Sequence, residues 1–269
     1  MTSNFKALTR RTFFSAALTV FALTALPAAN ALAAEDLADK IKRTGELRIG
    51  TEGVYPPFSF HDASGKLTGA DVEFGRRLAS KLGVKPVFVE TPWEAMFAGL
   101  DSGRFDIVLN QISTSPERRQ KYDFSEPYAY VKGVLVVQKN NTDIKTFADI
   151  KGRKSAQQAG SDWHGVALQQ GADVVLVKDF SHAVEQVATG RAQALVNSEL
   201  AVADFLKIRS NTPIKIVDKF KEGYGITIPV KKGNSKFLVQ ANKAIEELRT
   251  EGVLKELSLK YLGIDTSQK

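Results

Sequence analysis

Polar side chains follow an apolar segment that predicts a buried strand over Phe105–Leu109. Asn110, Gln111 and Ser113 come directly after it, so amide and hydroxyl groups crowd the point where the strand ends. In open α/β sheets, ligands bind in the crevice beside the carboxyl ends of the strands. This segment therefore predicts a binding site for a polar small molecule.

An arginine shortly after this segment has the chemistry needed to bind a carboxylate. Ser115 and Pro116 predict a helix start, which places Arg118 in the first turn of that helix. A guanidinium group is planar and pairs with a carboxylate through two hydrogen bonds. The segment offers Arg118 no internal acid beyond Glu117, so we expect it to bind a ligand carboxylate. The alternative is that Arg118 is a surface residue, like its neighbour Arg119.

Aromatic residues occupy two loops that follow predicted strands. The first loop, GTEGVYPPFSF, contains Tyr55 beside two prolines that stiffen the chain. Trp93 lies in the second loop, just before a predicted helix. Rigid aromatic side chains in such loops suit a pocket wall. The alternative is that Tyr55 and Trp93 pack into a core, as we expect for Phe60.

The sequence QQAGSD, residues 157–162, joins a predicted strand to a predicted helix. Gly160 and Ser161 at a helix start present free N–H groups and the positive end of the helix dipole. This arrangement suits an anion such as a carboxylate. The sequence contains neither G-x-x-x-x-G-K-[ST] nor G-x-G-x-x-G, so nucleotide binding has no support.

Composition argues against several other kinds of site. The 269 residues include no cysteine, which excludes disulfides, thiol catalysis and cysteine-based metal sites. The three histidines lie far apart in sequence, so a histidine-based metal site is not favoured. The sequence shows no nucleophile elbow, no H-E-x-x-H and no carboxylate pair at a recognisable spacing. We therefore expect no metal, no cofactor and no catalytic residues.

The first 33 residues predict a signal peptide. The segment begins with three basic residues and no acid, continues with the apolar run Ala16–Leu26 and ends in Ala31-Leu32-Ala33, a small-residue cleavage site. The sequence around Arg10 and Arg11 favours the twin-arginine route, with general secretion as the alternative. Since no cysteine follows the cleavage site, we expect a soluble periplasmic protein without a lipid anchor.

Cleavage after Ala33 leaves 34 basic and 30 acidic residues, and these alternate along most of the chain. The small net charge and the mixed pattern argue against a nucleic-acid partner.

The remaining sequence alternates strand and helix patterns, which predicts an α/β fold with largely parallel sheets. Two successive sets of these patterns predict two lobes. The expected strands are Glu46–Thr51, Val84–Glu90, Phe105–Leu109, Gly133–Gln138, Lys154–Gln158, Val174–Val177, Ala192–Val196, Ile214–Val217 and Tyr224–Pro229. The expected helices are Asp71–Leu82, Glu94–Asp101, one from Ser161, Ser181–Thr189, Glu199–Ile208, Ser235–Thr250 and Gly252–Tyr261.

Several of these segments together resemble the extracytoplasmic solute-binding proteins of polar amino-acid ABC importers. The resemblance covers nearly all of residues 35–265, and its strongest stretches are GTEGVYPPFSF, SGKLTGADVEF, ETPWEAMFAGLDSGRFDIVLNQIS, SPERRQKYDFSEPY and GNSKFLVQANKAIEEL. The Asn110-Gln111 pair ahead of SPERR looks most like the cystine-binding branch.

The resemblance implies a two-lobed periplasmic-binding-protein fold (type II) whose lobes close on the ligand about two crossing strands. Lobe 1 would comprise residues 35–131 plus 225–265, and lobe 2 residues 132–224. The hinges would fall near Ala129–Gly133 and Glu222–Gly225.

The resemblance also implies a set of ligand-binding residues. Arg118 would take the α-carboxylate, and the N–H of Asp162 would approach the ligand from lobe 2. The full set is Glu52, Tyr55, Trp93, Asn110, Gln111, Ser113, Arg118, Gln158, Ser161, Asp162 and Ser198.

One position departs from the family pattern. Ser198 stands where the family usually has an aspartate that binds the ligand's α-ammonium. A hydroxyl accepts a hydrogen bond but carries no charge, and a charge-assisted bond is worth about 1.5–3 kcal/mol against about 1 for a neutral one. Glu199 could substitute, Glu52 could compensate, or the ligand could lack a standard α-ammonium.

The resemblance implies a non-enzymatic binding protein for a polar amino acid, with cystine as a candidate. Its partners would be that ligand and an ABC importer permease, and we expect a monomer. Two rival functions remain open from the sequence. One is an enzyme on the same scaffold, similar to dehydratases of cyclic carboxylates, and the other is a soluble ligand sensor.

Overall fold

The computed structural model describes residues 35–269, so predictions for the signal peptide lie outside the described residues. The helices of this region are α1 Leu37–Thr44, α2 Ala70–Lys81, α3 Met96–Ser102, α4 Pro116–Lys121, α5 Asp162–Gln169, α6 Phe180–Ala188, α7 Glu199–Ile208, α8 Ser235–Thr250 and α9 Val253–Leu262. Short 3-10 helices span Trp93–Ala95 and Phe147–Ile150. The strands are β1 Glu46–Thr51, β2 Val54–Tyr55, β3 Ser59–His61, β4 Leu67–Thr68, β5 Lys85–Glu90, β6 Ile107–Val108, β7 Tyr122–Phe124, β8 Ala129–Val131, β9 Gly133–Gln138, β10 Lys154–Gln157, β11 Asp173–Leu176, β12 Ala194–Ser198, β13 Ile214–Lys219, β14 Tyr224–Ile226 and β15 Pro229–Lys231.

The first sheet is parallel and has the strand order β5-β1-β6. Helix α2 packs on β1 and β5 and also contacts α8 and α9. Leu47 and Ile49 of β1 are fully buried, as a strand covered by helices requires. The carboxyl ends of β1 and β6 lead directly into Glu52 and Leu109-Asn110, so the two loops lie side by side.

The second sheet has five strands in the order β11-β10-β12-β9-β13. Strands β11, β10 and β12 are parallel, whereas β9 is antiparallel to both β12 and β13. The expectation of largely parallel sheets is therefore wrong for this sheet, which is mixed. Both of its faces are buried: alternate residues of β9 pack on α5 through Leu135 and Val137, and on α6 through Val134 and Val136.

The chain passes between the two sheets along two adjacent segments. Strand β8 precedes β9, strand β14 follows β13, and the two pair antiparallel with Tyr130 opposite Gly225. This ribbon overlaps the segments that the sequence predicts as hinges. The exact lobe and hinge boundaries stay a prediction.

The predicted elements differ from the structure mainly in length. The segment Phe105–Leu109 forms a strand only at Ile107–Val108, and Tyr224–Pro229 splits into β14 and the start of β15. Helix α1 and the small β2-β3-β4 sheet were not predicted. Across residues 35–269, none of the helices has the length and apolarity that a membrane span needs.

Candidate functional site

Three predicted residues meet where the two sheets face each other. The Asn110 side chain donates to Glu52 Oε2 at 2.8 Å and accepts from the Glu52 main-chain N–H at 3.0 Å. Gln158, which follows β10 of the second sheet, donates to Glu52 Oε1 at 2.9 Å. Burial raises the pKa of the Glu52 carboxyl, and the hydrogen bonds from the two amides partly offset this effect. Glu52 therefore connects both sheets across a cleft.

Arg118 lies at the same cleft and contacts both sides of it. Its guanidinium forms an ion pair with Asp162 Oδ1 and donates to the main-chain oxygens of Ser113 and Gly160, both at 2.9 Å. Asp162 Oδ2 accepts from the Ser113 N–H at 2.9 Å. The side chains of Arg118 and Asp162 are only 11% and 16% exposed, respectively. The Arg118 guanidinium also lies over the Phe97 ring, 5.2 Å from its centroid.

The expectation that Arg118 lacks an internal acid beyond Glu117 is wrong. Its partner is Asp162, which lies in the second half of the chain and reaches Arg118 only because the cleft brings the two loops together. The sequence predicted a role for the Asp162 N–H alone, and the role of its carboxylate was missed. Gly160, whose carbonyl accepts from Arg118, was likewise considered only for its N–H.

The start of α5 positions Asp162 in the cleft. Ser161 is the N-cap, and its hydroxyl accepts from the His164 N–H at 3.0 Å. Gly160 has φ 70°, a conformation that favours glycine, and this turn presents its carbonyl to Arg118. The predicted helix start is therefore confirmed. The expectation of free N–H groups is wrong for Gly160 and Ser161, which donate to His164 Nδ1 at 3.0 Å and to the Gln158 carbonyl at 3.2 Å.

The two predicted aromatic residues are buried and each forms a hydrogen bond with the second half of the chain. The Tyr55 hydroxyl donates to Asn197 Oδ1 at 2.7 Å, and the Trp93 indole donates to the Ala159 carbonyl at 2.8 Å. The Tyr55 ring also packs 6.0 Å from the ring of Phe180, measured between centroids. Tyr55 and Trp93 are therefore buried like core residues and also contact the other side of the cleft.

Gln111 is held outside this group of contacts. It has φ 55°, which is uncommon for a residue with a side chain, and its main-chain and side-chain N–H groups both donate to Asp71. Gln111 Oε1 is buried without a hydrogen-bond partner and lines a cavity of about 30 Å³ together with Asp71 and Tyr128. The predicted contact of Gln111 with a ligand stays a prediction.

Ser198 is fully buried at the N-cap of α7, where its hydroxyl accepts from the Leu200 N–H at 3.3 Å. The neighbouring Glu199 carboxylate forms an ion pair with Lys219 at 2.6 Å. Asn197, which was missed from the sequence, is the residue of this segment that contacts Tyr55. A polar residue at the end of an apolar strand, one position before a helix cap, was the signal that could have identified it.

Together these residues form a cleft that carries charges of both signs. Arg118 provides a cation, Glu52 and Asp162 provide acidic groups, and Tyr55 and Trp93 are buried aromatic residues that contact the other side of the cleft. Such a site is suited to a small molecule that carries both a positive and a negative group.

Comparison with known proteins identifies the family of this chain. Residues 47–264 match the family model of bacterial extracellular solute-binding proteins, family 3. The L-cystine-binding protein TcyA of Bacillus subtilis (strain 168) is 41% identical over 234 residues, which cover 87% of this chain and 87% of TcyA. The chain has the two-lobed α/β fold of periplasmic binding proteins.

Two solved structures are similar to this chain in sequence and fold. An ancestral arginine-binding protein bound to arginine is 36% identical, with a TM-score of 0.76 over 81% of this chain and 99% of that chain. The L-cystine solute receptor of Neisseria gonorrhoeae in its unliganded open conformation is 44% identical, with a TM-score of 0.59 over 87% of this chain and 100% of that chain. The TM-score is higher for the ligand-bound structure, although its sequence is less similar. From its sequence and its fold, the chain belongs to the bacterial extracellular solute-binding proteins of family 3.

Proposed function

We propose that this protein binds a polar amino acid between its two lobes and delivers it to an ABC importer. The observation that carries the proposal is the position of Arg118, a nearly buried guanidinium that contacts main-chain groups from both sides of the cleft. A buried arginine at such a site is suited to a carboxylate, which every amino acid carries. The names of the relatives, which include cystine- and arginine-binding proteins, support the same ligand class.

In this proposal Arg118 binds the α-carboxylate, and the N–H groups of Ser161 and Asp162 complete the anion site. The Ser161 N–H, which donates to the Gln158 carbonyl at 3.2 Å, would exchange this bond for the ligand. Glu52, Asn110, Gln158 and Ser113 provide polar contacts, while Gln111 and Ser198 have the roles that the family resemblance implies. The lobes comprise residues 35–131 plus 225–265 and residues 132–224, and they close about the segments at Ala129–Gly133 and Glu222–Gly225.

L-Cystine is the specific ligand that we propose. Two of the relatives are cystine-binding proteins by name, at 41% and 44% identity. Tyr55 and Trp93 lie at the cleft, and contact between sulfur and an aromatic ring is favourable by about 0.3–1.5 kcal/mol. The disulfide of cystine would therefore be a suitable guest between these rings.

A panel of ligands tests this proposal. Protein stripped of ligand by denaturation and refolding is heated with each common L-amino acid, with L-cystine and with small cyclic carboxylates. A ligand at 100 times its dissociation constant should add about 2.7 kcal/mol to the free energy of unfolding. We expect L-cystine to raise the melting temperature most. A panel in which no amino acid shifts the melting temperature would contradict the proposal.

We propose that the protein is not an enzyme. The observation that favours the rival is Glu52, because a buried carboxyl with a raised pKa can act as a general acid. Both oxygens of Glu52 already accept hydrogen bonds from amides, which suits a binding role better. Incubation with cyclic carboxylates, followed by proton NMR, should show no new product. Turnover that disappears in Glu52→Gln would support the enzyme instead.

We also propose that residues 1–33 direct export, through the twin-arginine route, and that the mature protein is a periplasmic monomer. Intact mass of the exported protein should correspond to a chain that begins at Ala34. Replacement of Arg10 and Arg11 by lysine should block export through the twin-arginine route but leave general secretion unaffected. An exported form that retains Met1 would contradict the cleavage.

A further inference from the structure

We propose that the ion pair between Arg118 and Asp162 is the receptor for the ligand's zwitterionic head group, in which the Asp162 carboxylate binds the α-ammonium. This inference rests on the proposed function, since it assumes an amino-acid ligand. Asp162 would supply the negative charge that Ser198 lacks. Asp162 thereby becomes a determinant of specificity for amino acids over simple carboxylates.

The geometry of the pair supports this role. Arg118 and Asp162 come from opposite sides of the cleft, and each remains slightly exposed, at 11% and 16%. In an amino acid the carboxylate and the ammonium are attached to the same carbon atom, so their receptor needs a cation and an anion close together, as they are in this pair. A head group that lies alongside the pair would place its carboxylate at Arg118 and its ammonium at Asp162. Every charge would then keep an opposite charge as its neighbour.

The partners of Asp162 leave it able to change contacts. Within residues 35–269 its carboxylate accepts from Arg118 and from the Ser113 N–H alone, whereas the N-cap of α5 is provided by Ser161. The Ser113 N–H can bond a ligand carboxylate as readily as it bonds Asp162. The helix therefore does not depend on the Asp162 side chain for its cap.

Several other acidic or polar groups of this region already have partners, whereas Glu94 is exposed and Asp179 pairs with His182. Both oxygens of Glu52 accept from the amides of Asn110 and Gln158. Asp71 accepts from Gln111 and from the Tyr128 hydroxyl. Glu199 is paired with Lys219, and Ser198 carries no charge and caps α7. Among the described residues, Asp162 is the carboxylate in direct contact with Arg118, which places it next to the bound carboxylate.

The test compares two amino acids with their analogues that lack the amino group. L-Cystine is paired with 3,3′-dithiodipropionic acid, and L-glutamine with glutaramic acid, and each is titrated by calorimetry into wild type and Asp162→Asn. Asparagine keeps the size and an acceptor oxygen but removes the charge. We expect the amino acid to bind at least 10-fold more weakly to the variant. The analogue should bind equally well or more tightly, because Arg118 has lost its internal competitor.

Three control variants sharpen the comparison. Asp173→Asn removes a charge from an exposed position on β11 and should leave the affinity for both ligands unchanged. Asp162→Glu keeps the charge and should retain the preference for the amino acid, which also covers the case in which Asp162→Asn does not fold. Glu52→Gln tests the rival acid, and loss of the preference in this variant but not in Asp162→Asn would overturn the inference.

Two other results would overturn it as well. Equal weakening of the amino acid and its analogue would mean that Asp162 only supports the structure. Tighter binding of both would mean that Asp162 merely occupies the place of the ligand carboxylate. These results differ from failure of the proposed function, in which wild type binds no amino acid and the inference falls with it.

Discussion

At the scale of single residues, Asp71 shows how burial and hydrogen bonding compete. Three donors point at its carboxylate: the Gln111 main-chain N–H at 3.0 Å, the Gln111 amide at 2.7 Å and the Tyr128 hydroxyl at 3.0 Å. These bonds favour the ionised form, but Asp71 is only 1% exposed. Burial has the larger effect and raises the pKa of Asp71 from 3.8 to about 6.

This shift predicts a pH dependence of stability. The folded state holds the Asp71 proton more tightly than the unfolded state, so the contribution is fully present below about pH 3.8 and is lost as the pH rises through about 6. The loss is on the order of 2–3 kcal/mol. In urea unfolding between pH 4 and 7, Asp71→Asn should therefore remove a decline in the free energy of unfolding that wild type shows.

The exposed Asp173→Asn is the control for this measurement and should keep the wild-type slope. The test compares how the free energy of unfolding changes with pH. Its absolute value is not compared, because asparagine at position 71 disturbs the hydrogen bonds from Gln111. An unchanged slope in Asp71→Asn would show that Asp71 is ionised throughout this range.

Some individual contacts could be predicted from the sequence and others could not. Glu52 and Asn110 meet because parallel strands end at one edge of a sheet, a rule that holds without knowledge of the tertiary structure. Gln111 turns to Asp71 because of its positive φ, and no sequence pattern marks this conformation. The pair of Arg118 with Asp162 depends on the closed cleft, which local sequence does not encode.

At the scale of elements, the first residue of β9, Gly133, has no side chain, and this allows Trp163 of α5 to pack closely against the strand. A Cβ atom at Gly133 would lie 2.6 Å from Trp163 Cζ3 and 2.7 Å from Phe220 Cδ2. Trp163 belongs to the buried cluster on that face of the sheet, and Phe220 is partly buried against it. A glycine is therefore required here for close packing, at the end of the segment predicted to be a hinge.

Gly133→Ala should lower the free energy of unfolding by about 1–3 kcal/mol, the usual effect of overpacking a core. Gly165 is the matched control, since it lies inside α5 and an added methyl group there would enter open space. Gly165→Ala should stabilise the protein by about 0.5–1 kcal/mol. Urea unfolding of both variants measures the two changes in the free energy of unfolding. If both substitutions stabilise the protein, or both destabilise it, the packing that we describe is contradicted.

The hydrogen bond from Trp93 to Ala159 connects the 3-10 helix that starts at Trp93 with the loop before α5. Opening of the cleft would break this bond, so ligand binding should change the emission of Trp93. The chain has two tryptophans, and Trp163 packs near the predicted hinge, 5.8 Å from the Tyr224 ring. Both must therefore be tested.

Trp163→Phe, in which Trp93 is the remaining tryptophan, should keep most of the change in emission on addition of L-cystine. Trp93→Phe should keep less of it. If saturating ligand leaves the emission of Trp163→Phe unchanged while calorimetry shows binding, Trp93 does not lie at the site.

The elements themselves were predicted well where periodicity and caps agree. The bounds of β1, β9, α7 and α8 match the expected ones because apolar patterns and helix starts are local signals. The order and direction of strands are not local. The antiparallel β9 of the second sheet follows from the chain crossing between lobes, so the sheet type expected from the sequence was wrong.

At the scale of the whole molecule, the contacts across the cleft explain how two lobes form one binding protein. Glu52, Tyr55, Trp93 and Arg118 each have a hydrogen-bond partner on the other side. These bonds are made together when the lobes close, and a ligand that fits between them shifts the population toward the closed form. Under the proposed function, ligand binding and closure are therefore one process.

The central claim is that closure captures a carboxylate at Arg118, and calorimetric titration of L-cystine into Arg118→Ala, Arg118→Lys and Arg119→Ala tests it most directly. Arg119 lies beside Arg118, is exposed and bonds Thr114, so it is a matched control. Arg118→Ala should cost about 2–5 kcal/mol of binding free energy. Arg118→Lys should also bind markedly more weakly because lysine lacks the planar fork. Arg119→Ala should change binding by less than about 0.5 kcal/mol. Affinity near that of wild type in Arg118→Ala, or equal losses at the two positions, would contradict the claim.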